Sequence, residues 1–362
     1  MNSDIKYWIA LSMAPEVGPI RARKLLSVFK TPERVLSAEV GELVNQAGMS
    51  ANVAKKIRGF SLWDIADKYV ADLEKHDIKA VCLNDPLYPE MLRETMDAPV
   101  VVYMKGDLQP QDKFAVAVVG SRKMTYYGAS TAEQISGELA SMGLTVVSGM
   151  ARGIDSQAHK GALKAGGRTI AVLGSGLDKP YPPENNMLMQ KISESGCAIS
   201  EFPPGTPPDR ENFPRRNRLI SGLSLGVLVI EATLESGALI TARYATDYGR
   251  DVFAVPGNVT SENSEGANAL IREGAALVRN AEDILEELAP VLKGFIKSRN
   301  KVKIEVNDDE KILCNLLSRE PKQIDLLSRE SGWPSSKVLG TLLGLELKGV
   351  VKQITGKRFY LA

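Results

Sequence analysis

A run of arginines beside an asparagine is the part of this 362-residue sequence best suited to chemistry. The stretch 213–222 reads FPRRNRLISG and carries Arg215, Arg216 and Arg218 within four positions. Guanidinium groups and a side-chain amide suit phosphates and base edges. Apolar residues at helical spacing follow the arginines, so guanidiniums and free backbone N–H groups are expected to converge at one helix start, as in an anion site. A solvated charged face is the alternative interpretation.

Three predicted strands, 115–119, 144–147 and 169–173, each end in a turn rich in glycine and serine. Further strands are predicted at 198–201, 225–231 and 252–255, with helical segments between them. Strands of this kind, lacking polar alternation, indicate a parallel sheet covered on both faces. The turns therefore meet at the carboxyl edge of the sheet, where ligands bind in open α/β folds. Glycine lets a ligand approach the backbone closely, and Arg122 and Arg152 accompany the first two turns.

Four segments follow from the patterns along the chain. Residues 1–80 are predicted to be a helical domain with two hairpins, at 17–26 and 47–57, of which the first resembles a helix-hairpin-helix of sterile-alpha-motif-like domains; a purely structural bundle is an equal alternative. Residues 81–290 are predicted to form an extended Rossmann-like core of the α/β class. Residues 291–305 are predicted to be a flexible basic linker. In residues 306–362, three helices and a β-hairpin follow the order of a winged helix.

Composition excludes several classes of protein. A formal net charge of +1 is incompatible with a generally basic DNA coat, so any nucleic-acid site must be local. Cys82, Cys197 and Cys314 stand far apart, and His76 and His159 are the two histidines of the sequence. These spacings offer no disulfide framework and no metal site, and they favour a reducing cytoplasm. No signal-peptide pattern or membrane-spanning apolar run occurs.

Taken together, these motifs resemble the DNA-processing protein A (DprA/Smf) family of bacterial natural transformation. The resemblance covers nearly the whole chain and rests on residues 120–122, 148–155, 174–178, 213–222 and 236–238. It implies single-stranded DNA binding without hydrolysis, cofactor or metal, in a homodimer that protects incoming DNA and helps to load the RecA recombinase. The winged-helix function carries over least securely, because the flanking domains vary within the family.

The resemblance also implies which residues bind DNA. They are Ser121, Arg122, Gly149, Arg152, Gly153, Gly174, Ser175, Gly176, Leu177, Arg216, Asn217, Arg218, Ser236 and Gly237. By motif, Ser121 and Arg122 should meet a phosphate, the glycines at 149 and 153 should line the pocket, and residues 174–177 should cradle the strand. Residues 217 and 218 should hold a phosphate or a base edge, and residues 236–237 should close the site. Arg122 and Arg218 are expected to contact the same DNA strand.

Other polar and aromatic residues near these loops are interpreted structurally. Four aromatic residues could stack on bases, but core or rim positions are favoured for them; they are Tyr126, Tyr127, Tyr181 and Phe213. His159 is predicted to pack or cap a helix rather than to act as a general base. Asp178 and Glu231 would repel phosphates if fully exposed, so they are predicted to order the loops or to receive a base amino group.

Two other functional classes remain as hypotheses. The first is an enzyme, either a NAD-dependent oxidoreductase or a nucleoside-phosphate hydrolase. Against it, residues 120–122 do not form G-x-G-x-x-G, the hydrolase loop PGGxGT is absent, and no P-loop occurs. The second is a transcription regulator that would place residues 335–337 in a major groove. Because the charges of the winged-helix segment nearly balance, a protein contact or a weak DNA role is favoured for it.

Overall fold

The protein was analysed as a computed structural model that describes residues 4–292, 307–318, 321–348, 350–354 and 356–361. The chain divides into two compact units, residues 1–297 and residues 298–362. Most of the predicted basic linker, residues 291–305, lies outside the described residues.

Six helices open the first unit: α1 (Ile5–Met13), α2 (Pro19–Phe29), α3 (Pro32–Ser37), α4 (Val40–Asn45), α5 (Ala51–Arg58) and α6 (Trp63–Lys75). Local chemistry sets several of their starts. Pro19 stands in the first turn of α2, and the Ser50 hydroxyl accepts from the Val53 amide at 3.3 Å at the start of α5. Both predicted helix–turn–helix hairpins are confirmed, as α1–α2 and α4–α5.

A nine-stranded sheet forms the centre of this unit. Its strands are β1 (Lys79–Cys82), β2 (Val101–Gly106), β3 (Ala115–Val119), β4 (Thr145–Ser148), β5 (Thr169–Leu173), β6 (Cys197–Ser200), β7 (Gly226–Val229), β8 (Asp251–Ala254) and β9 (Ala276–Leu277). Their spatial order is β1-β2-β6-β5-β4-β3-β7-β8-β9. Strands β3 to β9 are parallel, whereas β1 and β2 are antiparallel, so the expectation of a parallel sheet is confirmed except at this edge. The short strands β1 and β9 were not predicted.

Helices cover both faces of the sheet, as predicted. They are α7 (Glu90–Arg93), α8 (Tyr126–Ser141), α9 (Ile154–Lys164), α10 (Asn186–Ser195), α11 (Asn212–Gly222), α12 (Gly237–Asp247), α13 (Glu262–Arg272) and α14 (Ala281–Leu288). Alternate residues of β3 separate the two layers. Val116 and Val118 pack with α8 and α9, while Ala115 and Ala117 pack with α11 and α12. The apolar strands are thus explained by burial on both sides.

The second unit contains α15 (Asp308–Leu316), β10 (Lys322–Gln323), α16 (Ile324–Ser331), α17 (Ser335–Leu347), β11 (Val351–Ile354) and β12 (Arg358–Leu361). Asn307 and Glu310 form a reciprocal capping box at the start of α15, with both bonds at 2.8 Å. Leu313, Leu327 and Phe359 belong to its buried core. The predicted three helices and hairpin are confirmed, and β10 adds a third strand. Among the described residues, no helix is both long and apolar enough to span a bilayer.

Candidate functional site at the carboxyl edge of the sheet

The loops that follow β3, β4 and β7 are joined by backbone hydrogen bonds. The Ser121 amide donates to the Glu231 carbonyl at 2.6 Å, and the Ile154 amide donates to the Ser121 carbonyl at 3.2 Å. Gly153 has a φ of +82°, and a Cβ there would collide with the Ser121 carbonyl oxygen. The turns after β3 and β4 therefore meet as predicted, and the loop after β7 joins them. Glycine is required at position 153 because the backbone of the Ser121 loop approaches it closely.

Two carboxylates order the loops. Glu231 is 3 % exposed and accepts from the Thr125 amide at 2.8 Å, which holds the loop between β3 and α8. Asp178 accepts from the Gly205 amide at 2.8 Å. Both carboxylates therefore have the loop-ordering role that was predicted for them.

Arg216 lies beneath the loops and faces away from solvent. It is 3 % exposed, and its Nη1 donates to the Gly149 carbonyl at 2.5 Å and to the Val172 carbonyl. A Cβ on Gly149 would lie 2.6 Å from the Asp155 carboxylate and 2.7 Å from Arg216 Nη2. Burial lowers the pKa of Arg216 to about 10, and burial raises the pKa of Asp155. Arg216 thus links the C-terminal ends of β4 and β5 by hydrogen bonds on the buried side of the loops.

His159 is fully buried beside this arginine. Its Nδ1 lies 2.7 Å from Thr169 Oγ1, and that hydroxyl donates to the Val146 carbonyl at 2.7 Å. Because the threonine hydrogen is already used, Nδ1 must carry the histidine proton. Burial lowers the pKa of His159 to about 3, so the ring stays neutral. The geometry agrees with the predicted packing role.

Arg218 is placed differently from the sequence expectation. It lies two residues after Arg216, about 200° around α11, and therefore faces the opposite side of the helix. Its side chain is 8 % exposed, forms an ion pair with the Glu201 carboxylate and donates to the Asp97 carbonyl. Burial raises the pKa of Glu201, an effect that Arg218 partly offsets. In this structure Arg218 is thus engaged inside the protein, whereas the expectation placed it with Arg122 on a DNA strand.

Asn217 connects α11 to the start of α12. Its Nδ2 donates to the Gly237 carbonyl at 3.1 Å, while the Ser236 hydroxyl accepts from the Ala238 amide at 3.3 Å. Gly237 is exposed, and a Cβ on it would meet nothing closer than Asn217 Nδ2 at 4.0 Å. No described protein atom therefore requires glycine here.

The segment after β5 supports the site from within. Residues 174–177 are buried, and the Ser175 hydroxyl donates to the Lys179 carbonyl at 2.8 Å. A Cβ on Gly174 would lie 2.9 Å from the Phe213 ring, so the absence of a side chain at position 174 makes room for that ring. The predicted cradle thus presents little of its own surface and instead positions an aromatic side chain.

Arginines and aromatic rings alternate on the solvent side of these loops. Arg122 lies 5.2 Å from the Phe213 ring centre, Arg152 lies 5.9 Å from that of Tyr181, and the two rings are 5.8 Å apart. Arg152 also forms an ion pair with Glu184. We call Arg122, Phe213, Tyr181 and Arg152 the arginine–aromatic strip. Tyr181 and Phe213 were expected to be core or rim residues, and the structure brings both into contact with the predicted arginines.

Of the two arginines in the strip, Arg122 is the one without an ion pair among the described residues. It is exposed and forms no ion pair with any carboxylate in the described ranges. The exposed Arg215 lies 5.3 Å from the Phe202 ring centre, close to the same sheet edge. The arginine run was recognised in the sequence, but the predicted DNA-binding residues did not include Arg215 or Phe202. The position of Phe202 two residues after β6 could have indicated them. Tyr126 and Tyr127 are also exposed, at the start of α8.

Comparisons with known proteins agree with this architecture. A family model of DNA recombination-mediator protein A matches residues 79–289, and one of the DprA winged helix domain matches residues 299–357. The chain is 33 % identical over 393 residues to Protein Smf of Synechocystis sp., with 99 % of each chain covered. The X-ray structure of DNA processing protein A from Streptococcus pneumoniae is similar, with a TM-score of 0.67, 37 % identity and coverage of 78 % of this chain and 97 % of that one. A structure that addresses the single-stranded DNA binding mode of the Helicobacter pylori protein has a TM-score of 0.53, 30 % identity and coverage of 59 % and 96 %.

Proposed function

We propose, from the premise that the chain belongs to the DNA recombination-mediator protein A family, that the arginine–aromatic strip binds single-stranded DNA in recombination and natural transformation. The observation that carries the proposal is the position of Arg122, which is exposed, forms no ion pair among the described residues and lies beside the Phe213 ring. Guanidiniums can neutralise phosphates, and aromatic faces can receive bases of any sequence. The Helicobacter pylori relative, whose single-stranded DNA binding mode has been described, supports the same ligand class.

The proposed contacts fall into two groups. The exposed side chains of Arg122, Arg152 and Tyr181 and the half-buried ring of Phe213 would meet phosphates and bases directly. Arg215 and the exposed backbone at Gly237 would join them. The buried residues of the predicted set would act by holding the loops that carry these side chains. Ser121 and Gly153 belong to both groups, because they are half-buried and lie where the loops meet.

Binding without chemical turnover is part of the proposal. His159 is buried and neutral, and the described residues contain no group of three or more potential metal ligands. Nothing in the strip supplies a nucleophile beside a base. The alternative, a nucleotide-binding enzyme, is tested by calorimetry with NAD, NADP and AMP. A saturable micromolar response accompanied by product formation would favour the enzyme.

We extend the proposal to the partners implied by the family resemblance. The chain would act as a homodimer, would protect incoming single strands and would help to load RecA on them. Sedimentation of the free protein tests the dimer. RecA-dependent strand exchange on DNA already coated with a single-strand binding protein tests loading, which should be faster when the chain is added.

The first prediction concerns the choice of ligand. Oligo-dT should bind more tightly than duplex of equal length, because separated bases can reach the rings of the strip whereas paired bases cannot. Log affinity should fall with log salt by about 0.7 for each neutralised phosphate of a single strand. Fluorescence anisotropy at two salt concentrations measures both quantities. Equal or tighter duplex binding would contradict the proposal.

A second prediction uses the open space at Gly237. Changing Gly237 to alanine should leave the free energy of unfolding unchanged or raise it by about 0.4–1 kcal/mol, because the backbone there has no need of glycine. Single-stranded DNA should bind about fivefold more weakly, roughly 1 kcal/mol, if the strand approaches this helix start. Gly41→Ala is the matched control, since a Cβ there also meets nothing within 4 Å. Equal DNA affinities for both variants would remove Gly237 from the site.

A third prediction concerns the winged-helix unit. Removal of residues 306–362 should weaken single-stranded DNA binding by less than about tenfold, or ~1.4 kcal/mol. The reason is that every residue of the strip lies in the first unit, which has its own core. Anisotropy on the truncated chain, with thermal unfolding as the control for folding, measures the effect. A larger loss would make the winged helix part of the principal DNA site.

A further inference from the structure

Strand β1 lies at one edge of the sheet, and its outer side pairs with no other strand among the described residues. It pairs with β2 alone, with Val81 opposite Val102, and no other strand in the described ranges lies beside it. An edge of this kind presents a row of backbone donors and acceptors that can bind another strand. Natural edges are commonly protected by lysine, proline or a bulge. The lysine of β1, Lys79, forms an ion pair with Asp107 at 2.5 Å.

The hydrogen-bond register between β1 and β2 shows which backbone groups of β1 face away from β2. The Leu83 amide donates to the Val100 carbonyl at 2.9 Å, so residues 79, 81 and 83 direct their backbone groups toward β2. Ala80 and Cys82 therefore direct theirs to the open side. The Cys82 carbonyl already accepts from the Asp85 amide at 2.8 Å. The N–H and C=O of Ala80 and the N–H of Cys82 have no partner among the described residues.

A groove follows this open edge. Its cavity of about 740 Å³ is lined by the edge from residue 78 to residue 82, by residues of α1 and α6, and by the loop at 84–87. Ile5, Trp8 and Leu73 give it apolar walls, and Leu87, 68 % exposed, lies among the lining residues. Backbone groups on one side and apolar walls on the other are what an added strand requires, since its side chains alternate in direction.

The charges around the groove indicate which kind of polypeptide segment it would bind. Four carboxylates line it, those of Asp4, Glu74, Asp77 and Asp85. The single lysine among the lining residues, Lys79, is already paired with Asp107. The groove is therefore acidic and complements a segment that carries lysine or arginine between apolar residues.

We propose that the open edge of β1 binds an extended segment of a partner protein by strand addition, and that this segment alternates apolar and basic residues. Its backbone would bond Ala80 and Cys82, its apolar side chains would pack on α1 and α6, and its cations would face the carboxylates. The proposal is independent of DNA binding, because four strands separate β1 from β3 in the sheet.

The test begins with the full-length chain and a phage-displayed library of random eight-residue peptides. Enriched sequences should alternate apolar residues with lysine or arginine. The best sequence is then synthesised in two N-methylated forms that differ in which alternate amides are blocked. One form should bind at least about tenfold more weakly than the parent and the other should bind normally, because only one set of amides faces the edge.

Variants of the protein locate the binding. Ala80→Pro removes an outward N–H from an edge strand, a position where proline is tolerated, and should weaken peptide binding at least about tenfold. Glu74→Lys should also weaken it, while the matched control Glu287→Lys, an exposed carboxylate on α14, should not. Unfolding temperature and oligo-dT affinity should remain those of the unchanged protein, which separates this site from the DNA site.

Three results of the peptide experiments would overturn the proposal. They are the absence of enriched peptides, equal peptide binding by the Ala80→Pro variant, and equal binding by both N-methylated forms. If instead the protein self-associates and Ala80→Pro abolishes that association, the occupant is a second copy of this chain and not a peptide segment of another protein.

Discussion

Replacing Arg122 with alanine should weaken single-stranded DNA binding by about 1–3 kcal/mol and leave the unfolding temperature near that of the unchanged protein. The guanidinium is exposed, lies 5.2 Å from the centre of the Phe213 ring and has no carboxylate partner in the described part of the chain. Its removal therefore breaks no ion pair, and the buried Asp155 carboxyl, on which Arg122 acts electrostatically, keeps its larger interaction with Arg216. The lost interaction is a charge-assisted contact with phosphate, which an alanine cannot replace.

Fluorescence anisotropy with oligo-dT at two salt concentrations measures the loss. The slope of log affinity against log salt should decrease by about 0.7, the value for one phosphate on a single strand. Lysine at this position should restore only part of the affinity, because it keeps the charge but not the planar fork.

Arg272→Ala provides the matched control for Arg122→Ala. Arg272 is also exposed, but it lies at the end of α13, which runs back from the carboxyl edge of the sheet. If Arg122→Ala bound DNA as well as this control, the proposed site at the carboxyl edge would be wrong.

Most of the architecture could be predicted because it depends on local patterns. Unbroken apolar strands that end in glycine turns identified β3, β4 and β5 and their common edge, and the periodicity of residues 306–362 identified the winged helix. The short β1 escaped because four residues between a helix and a loop carry too little periodicity. Its antiparallel pairing with β2, and hence the open sheet edge, depends on contacts that are distant in sequence.

The candidate site was less predictable, because the environment of each arginine in α11 depends on remote partners. Arg215 is exposed, Arg216 donates to carbonyls of β4 and β5 segments, and Arg218 pairs with Glu201. Helical geometry alone could have separated residues 216 and 218, which lie about 200° apart. It could not show that the Glu201 carboxylate lies on the side of the helix that Arg218 faces. The run of arginines therefore has three roles instead of one.

Arg218 should consequently behave unlike Arg122 when it is replaced with alanine. The substitution should destabilise the fold by about 3–5 kcal/mol, because it leaves the Glu201 carboxylate buried and unpaired. The side chains of the pair are 8 % and 5 % exposed, so the Glu201 carboxylate would remain largely shielded from bulk solvent. Single-stranded DNA affinity of the folded protein should change much less than in Arg122→Ala, unless the strand draws Arg218 away from Glu201.

The pH dependence of the free energy of unfolding provides an independent check on this explanation. Burial raises the pKa of Glu201 above its ordinary 4.5, and loss of Arg218 should raise it further. A carboxyl whose pKa is higher in the folded state than in the unfolded state favours folding when protonated, and that stability is lost as pH rises through the folded pKa. The deficit of Arg218→Ala should therefore be smallest in acid, where the carboxyl is protonated in both folded proteins. It should grow as pH rises from the folded pKa of Glu201 in the unchanged protein to the higher folded pKa in the variant. Urea unfolding of both proteins at several pH values measures it.

The double variant Arg218→Met with Glu201→Gln separates charge from packing. Because it removes both ions of the buried pair, it should recover much of the stability lost in Arg218→Ala, as replacement of a buried ion pair often costs little. Its DNA affinity then decides the role of Arg218, since folding no longer obscures the result. If the double variant is stable and binds oligo-dT as poorly as Arg122→Ala, Arg218 contacts the strand, as the family resemblance implies. If it is stable and binds normally, the arginine serves the fold, and the DNA-facing cations of this edge are Arg122, Arg152 and Arg215.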